Sequence, residues 1–143
     1  MRMSLRKYVL LVAVLGGVSV LVLTSLAATT ESQENRPSAR VIPVDPTATE
    51  YVRLLGGPPE TVTMHAGLVV LEPGESVGIH NTENYEEVLV VLEGVGKMVI
   101  TDGPELTLQT STMAYCPPRT EHNVTNTGSG ALRYIYVVSN AEE

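Results

Sequence analysis

Residues 74–94 read GESVGIHNTENYEEVLVVLEG. Turn-forming pairs bracket the stretch, Pro73-Gly74 in front and Glu93-Gly94 behind. Inside it lie two strand-like runs, residues 76–80 and 87–92, joined by the polar loop 81–86. Folded as a hairpin, the two arms bring His80, at the end of the first, close to Glu87, at the start of the second. An imidazole and a carboxylate meeting on one face of a sheet begin a metal site. Such a site still needs a third ligand and a scaffold that holds all three.

The scaffold is legible outward from there. Residues 50–55 and 61–71 precede the stretch as strand-like runs, separated by Gly56-Gly57-Pro58-Pro59. Residues 95–101, 105–109, 112–116, 122–126 and 131–139 follow it, with Asp102-Gly103-Pro104, Pro117-Pro118 and residues 127–130 as breaks. No run sustains a helical period. Many short strands with turn residues between them indicate an antiparallel sandwich or barrel. Phe and Trp are absent and the six aromatic residues are all Tyr. The core is therefore filled by Val, Leu and Ile, of which the β-branched Val and Ile favour strands. Residues 88–92 are apolar on both faces of their strand, so the outward face calls for a second sheet or a second subunit, and a homodimer is expected.

The chain has 143 residues, room for one domain with appendages. Its start carries Arg2, Arg6 and Lys7, then an uncharged and mostly apolar run over residues 8–26, ending in Ser25-Leu26-Ala27. This pattern is that of a secretory signal; its length of about 20 residues also suffices for a membrane-spanning helix. Either a cleaved signal or an uncleaved anchor occupies residues 1–27, and both place the rest secreted, periplasmic or membrane-anchored, outside the cytoplasm. Residues 28–47, polar and broken by Pro37, Pro43 and Pro46, read as a flexible linker; residues 48–143 form the folded domain. Beyond the leader, six Lys and Arg stand against sixteen Asp and Glu, a formal charge of −10. Such a surface repels phosphate backbones, so nucleic acid is not expected as a partner. Cys116 is alone, which excludes an internal disulfide. It reads as a small buried hydrophobe or as a reactive or ligating thiol.

Gly74, His80, Glu87 and Gly94 stand at G-x5-H…E-x6-G, and Pro117, His122 and Asn126 at P-x4-H-x3-N. Together they resemble the two motifs of the cupin family, G-x5-H-x-H-x3–4-E-x6-G and G-x5-P-x-G-x2-H-x3-N. The resemblance covers residues 74–126 and extends through the flanking strands to about 49–139. It implies an all-β double-stranded β-helix, or jelly-roll barrel, here preceded by an N-terminal hydrophobic helix. Three positions depart from the pattern. Thr82 stands where the family has its second histidine, and Ser111 and Arg119 stand where motif two has glycines.

By that resemblance His80, Glu87 and His122 are the metal ligands. Two imidazoles and a carboxylate suit one divalent transition metal, Fe, Mn, Zn or Ni, and leave coordination positions open. The competing reading is a barrel without metal in which both histidines only hydrogen-bond. His65 shares strand parity with Gly67, Val69 and Leu71, and facing the lumen it would serve as a fourth ligand or a proton donor. Thr82 is placed to hydrogen-bond a metal-bound water. Tyr85, Tyr115, Tyr134 and Tyr136 are candidates to line a pocket. The family implies a small-molecule ligand inside the barrel. It leaves open an oxidoreductase such as a dioxygenase, an isomerase, a non-catalytic sugar- or small-acid-binding module, and a purely structural barrel.

Overall fold

The computed structural model describes residues 36–141. The hydrophobic helix expected over residues 8–26, and the leader that contains it, lie outside the described residues. Within them the chain forms nine strands: β1 (Val52–Gly56), β2 (His65–Leu71), β3 (His80–Asn81), β4 (Tyr85–Glu93), β5 (Val95–Ile100), β6 (Glu105–Gln109), β7 (Met113–Cys116), β8 (Glu121–Asn126) and β9 (Leu132–Asn140). They make two antiparallel sheets, one ordered β1-β2-β9-β4-β7 and the other β3-β8-β5-β6. From β2 to β9 the chain changes sheet at every connection but β5–β6, which gives the double-stranded β-helix.

The change of sheet after β4 depends on backbone freedom. Gly94 lies at φ 89°, and a Cβ there would strike the Ala131 carbonyl oxygen. Ser111 and Arg119, which stand where glycines were expected, adopt the same left-handed region at φ 66° and 58°. The turn geometry thus persists without glycine, at a steric cost to each residue.

Side chains pointing between the sheets grade along the barrel. At one end Leu71, Leu132, Leu108, Met98 and Val91 are buried against one another. Asn126 closes that end. Its side-chain amide donates to the carbonyls of Leu71 and Gly130, both at 2.8 Å, and its carbonyl accepts from the Gly128 amide. Every polar atom of this fully buried side chain is therefore partnered, as burial demands. Two strand rows further on, Glu87 and His122 face each other, and that end is open.

Three expectations need correction. Strand β2 begins at His65 rather than at residue 61, because the Gly57 carbonyl accepts from the Glu60 and Thr61 amides and the Thr61 hydroxyl donates to Met64, folding 57–64 into turns. Residues 76–80 are not a continuous strand: Gly78 at φ 89° interrupts them, leaving β3 two residues long. The stretch around His80 and Glu87 is not a hairpin either. Strand β3 pairs with β8 in one sheet and β4 with β7 and β9 in the other, so the 82–84 connection crosses the barrel. Local pattern identifies a strand, but its partner is chosen by contacts distant in sequence.

Segment 36–48 carries no strand, yet it is tied to the barrel. Arg40 donates to the Glu60 carboxylate at 2.8 Å, and Arg133 donates through Nε to the Ala48 carbonyl at 2.9 Å. Relieving a left-handed non-glycine residue gains more than glycine loses in the unfolded chain. Ser111→Gly is therefore expected to raise the unfolding free energy by about 0.5–1 kcal/mol in chemical denaturation.

Candidate metal centre

His80 comes from β3, Glu87 from β4 and His122 from β8, so the site is assembled across the two sheets. One ligand atom from each lies within 4.8 Å of the others. A register shift makes this convergence. Ser76 pairs with Thr125, but His80 pairs with His122, so four steps along one chain match three along the other. The extra residue is a bulge spanning Gly78. Without it His80 would stand opposite Glu121, and its neighbour would face His122 instead. The signal was in the sequence, because a glycine inside a strand-like run marks a bulge.

Both rings are oriented by carbonyls. The His80 Nδ1 is 3.0 Å from the Gly78 oxygen, and the His122 Nδ1 is 3.4 Å from the Thr120 oxygen. A carbonyl only accepts, so a proton on each Nδ1 satisfies it and leaves each Nε2 lone pair free; the His122 Nδ1 also lies 3.5 Å from the Cys116 sulfur. The rings lie 4.3 Å apart at 57°. The Nε2 of His122 is buried and has no aligned hydrogen bond; Glu87 Oε2 stands 3.2 Å away, close enough for charge but off the ring's N–H direction. Burial alone would lower the His122 pKa; the contact and charge of Glu87, with the Thr120 carbonyl, outweigh it and raise it. A buried nitrogen without a hydrogen bond, beside a carboxylate and a second free imidazole nitrogen, fits a divalent metal.

Thr82, 7% exposed, lines the cavity. Its hydroxyl donates to the Pro117 carbonyl and accepts from the Thr120 amide, both at 2.9 Å. That one proton is committed to the backbone, so Thr82 clamps the sheet-crossing connection against the turn before β8. Cys116 is fully buried across the β4–β7 pair from Glu87. Burial, followed by the Glu87 charge, pushes its thiol up to about 11, despite a hydrogen bond at Thr120 that pulls the other way. It is the small buried hydrophobe rather than a reactive thiol.

Over the three candidate ligands opens a cavity of ≈ 300 Å³. Tyr85, Tyr134 and Tyr136 line it with four valines and Asn81. The valines were missed in the sequence, although the alternation that turns His122 inward carries Val124 with it. Tyr115 does not line the cavity: paired with Val88, it stands on the outer face, 53% exposed, and donates to Glu86. His65 lies on the inward row of β2 but outside the ligand cluster, edge-on to Tyr85 at 6.2 Å and packed over Gly57.

Two outcomes are expected. A Cβ on Gly78 meets nothing within 4 Å, so Gly78→Ala strains only the backbone. It is expected to lower stability by about 1 kcal/mol and metal affinity by about tenfold, read by denaturation and by metal titration. Cys116 is expected to resist a thiol reagent at about pH 8 until denaturant is added, since the reactive thiolate is absent in the folded state.

The cupin-domain family model matches residues 67–138, half of the chain. No curated protein matches. Among solved structures the chain is similar to a cupin 2 conserved barrel domain protein from Salinispora arenicola, at 22% identity and TM-score 0.59, covering 73% of this chain and 91% of that one. It is similar to an RmlC-like cupin family protein with a double-stranded β-helix fold from Methanocaldococcus jannaschii, at 19% identity and TM-score 0.60, covering 72% and 92%. It is also similar to the Cnp3 cupin domain of Schizosaccharomyces pombe, at 16% identity and TM-score 0.57, where 63% of each chain is covered.

Proposed function

The chain belongs to the cupin family, and on that premise we propose that it holds one divalent transition metal at His80, Glu87 and His122 and binds a small molecule in the cavity above it. The single observation that carries this reading is the buried His122 Nε2, which lacks an aligned hydrogen bond and lies beside Glu87 and His80. Two imidazoles and one carboxylate suit Fe, Mn, Zn or Ni. When bound, such a metal supplies Lewis-acid polarisation of an oxygen-bearing ligand and, if it is iron or manganese, redox chemistry with oxygen.

The chain's own residues do the rest. Carbonyls of Gly78 and Thr120 fix the two imidazoles, Glu87 supplies the anionic oxygen, and Thr82 holds the connection on which both sides of the site depend. The apolar part of the cavity flanks the Glu87 and His122 side of the site, while His80 stands exposed at its mouth. The leader reading supports a barrel that works outside the cytoplasm, released or tethered through residues 8–26. A second copy covering the outer face of β4 and β7 is supported by exposed Val90, Met113 and Tyr115.

The test is elemental analysis of protein purified without added metal or chelator. About one transition metal per chain is expected, lost in His80→Ala and His122→Ala with the fold retained; no metal in the parent protein contradicts the reading. Iron with oxygen uptake on a bound ligand would mark an oxygenase. Tight ligand binding without turnover would mark a receptor.

A further inference from the structure

What the cavity accepts can be read from its walls, given the metal reading above. Val69, Val77, Val124 and Val138 make an apolar lining, and among the described residues neither Lys nor Arg reaches it. A phosphate or dicarboxylate is bound by cationic donors, which are missing. One divalent ion offset by the Glu87 carboxylate leaves a single net positive charge, enough for a monoanion. A sugar ring carries hydroxyls on every side, and against valines most would go unpaired. The ≈ 300 Å³ volume holds roughly ten heavy atoms at a water-like share of about 30 Å³ each.

The phenols differ from one another. The Tyr136 hydroxyl is engaged with that of Tyr51 at 3.0 Å. Both rings lie over Gly67, where a Cβ would come within 2.7 Å of each, so the missing side chain is the slot that holds the pair. Tyr134 is 3% exposed and lines the cavity, but its hydroxyl makes no hydrogen bond with any described residue. Burial, then the Glu87 charge, raises this phenol above its ordinary range, so it stays a donor. The hydroxyl is not among the sealed, unpartnered polar atoms of the described residues; it opens to the cavity, where an occupant with an acceptor can take its proton.

We propose that Tyr134 is a specificity-determining donor, and that the cavity takes a compact, mostly apolar hydroxy-carbonyl or aromatic acid of at most one negative charge, with one oxygen toward the metal and a second acceptor toward the Tyr134 hydroxyl. Tyr136 is held back by Tyr51 and shapes the wall. Tyr134 positions the ligand and is not placed at a bond that breaks.

Calorimetry on the full chain loaded with one equivalent of zinc tests this with three probes: salicylate, singly charged; phenyl phosphate, doubly charged at about pH 8; and glucose. Salicylate is expected to bind, with the other two weaker by about tenfold or more. Tyr134→Phe is expected to weaken salicylate by about five- to tenfold, the effect of one hydrogen bond, with zinc content and melting temperature retained. Val62→Ala, exposed and outside the cavity lining, is expected to leave salicylate affinity unchanged. The comparison of probes on the parent protein needs no variant to fold. With stoichiometric zinc, absent salicylate binding, equal binding of phenyl phosphate or glucose, or an unchanged affinity in Tyr134→Phe overturns the ligand class alone. Absence of zinc from the parent protein overturns the metal reading, and this inference with it.

Discussion

The site depends on how one irregular segment lies along β8. Residues 74–82 run antiparallel to it from the Gly74 amide on the Asn126 carbonyl, through Val77 on Val124, to Thr82 on Thr120. Only two of those residues are regular strand, and the bulge at Gly78 lets the register slip by one. Because strand side chains alternate, a slip of one decides which residue faces inward. His80 reaches His122 through this defect, and both ends of the segment are pinned so that the defect stays in place. Asn126 pins the closed end of the barrel, and Thr82 pins the open end.

The same segment explains what the sequence made visible. The resemblance to the two family motifs placed His80, Glu87, His122 and Asn126 together, which no local pattern of the chain could do. Strand existence was legible from local turn residues: β6 matches its expected bounds, β5, β7 and β8 differ by one residue at one end, and β9 is shifted by one residue at both ends. Strand partnership was not legible. Residues 76–80 and 87–92 look like the arms of a hairpin, since apolar alternation flanking a polar loop is the same whether the loop turns back or crosses to the other sheet. The positions of Ser111 and Arg119 show the converse: the backbone shape survives at φ 66° and 58° although the residue type that favours it is gone. Gly67 was invisible as a slot because its neighbours, Tyr51 and Tyr136, come from strands or segments far along the chain.

Charge and burial then divide the interior into two chemistries. The domain as a whole is acidic, which draws cations toward it and turns away polyanions. Inside, a single carboxylate, Glu87, faces two imidazoles, and the groups around it respond to its charge. Burial first, and the Glu87 charge after it, raise the Cys116 thiol and the Tyr134 phenol; burial and the Tyr51 contact do most of this for Tyr136, while at His122 Glu87 and the Thr120 carbonyl outweigh burial and raise the pKa. A divalent ion at this point would take the Nε2 lone pair of His122 and give Glu87 a close counter-charge. Thr82, where the family pattern has a further imidazole, is a structural clamp on the backbone, so the candidate ligands are three.

The most direct measurement is the nitrogen NMR of the three histidine rings as zinc is added. Both carbonyl contacts put the proton on Nδ1, so the Nε2 resonances of His80 and His122 are predicted to move to the metal-bound range at one equivalent, with Nδ1 still protonated and His65 unchanged. Ligation through Nδ1, a shift at His65 in place of either ring, or no shift at all would contradict the account.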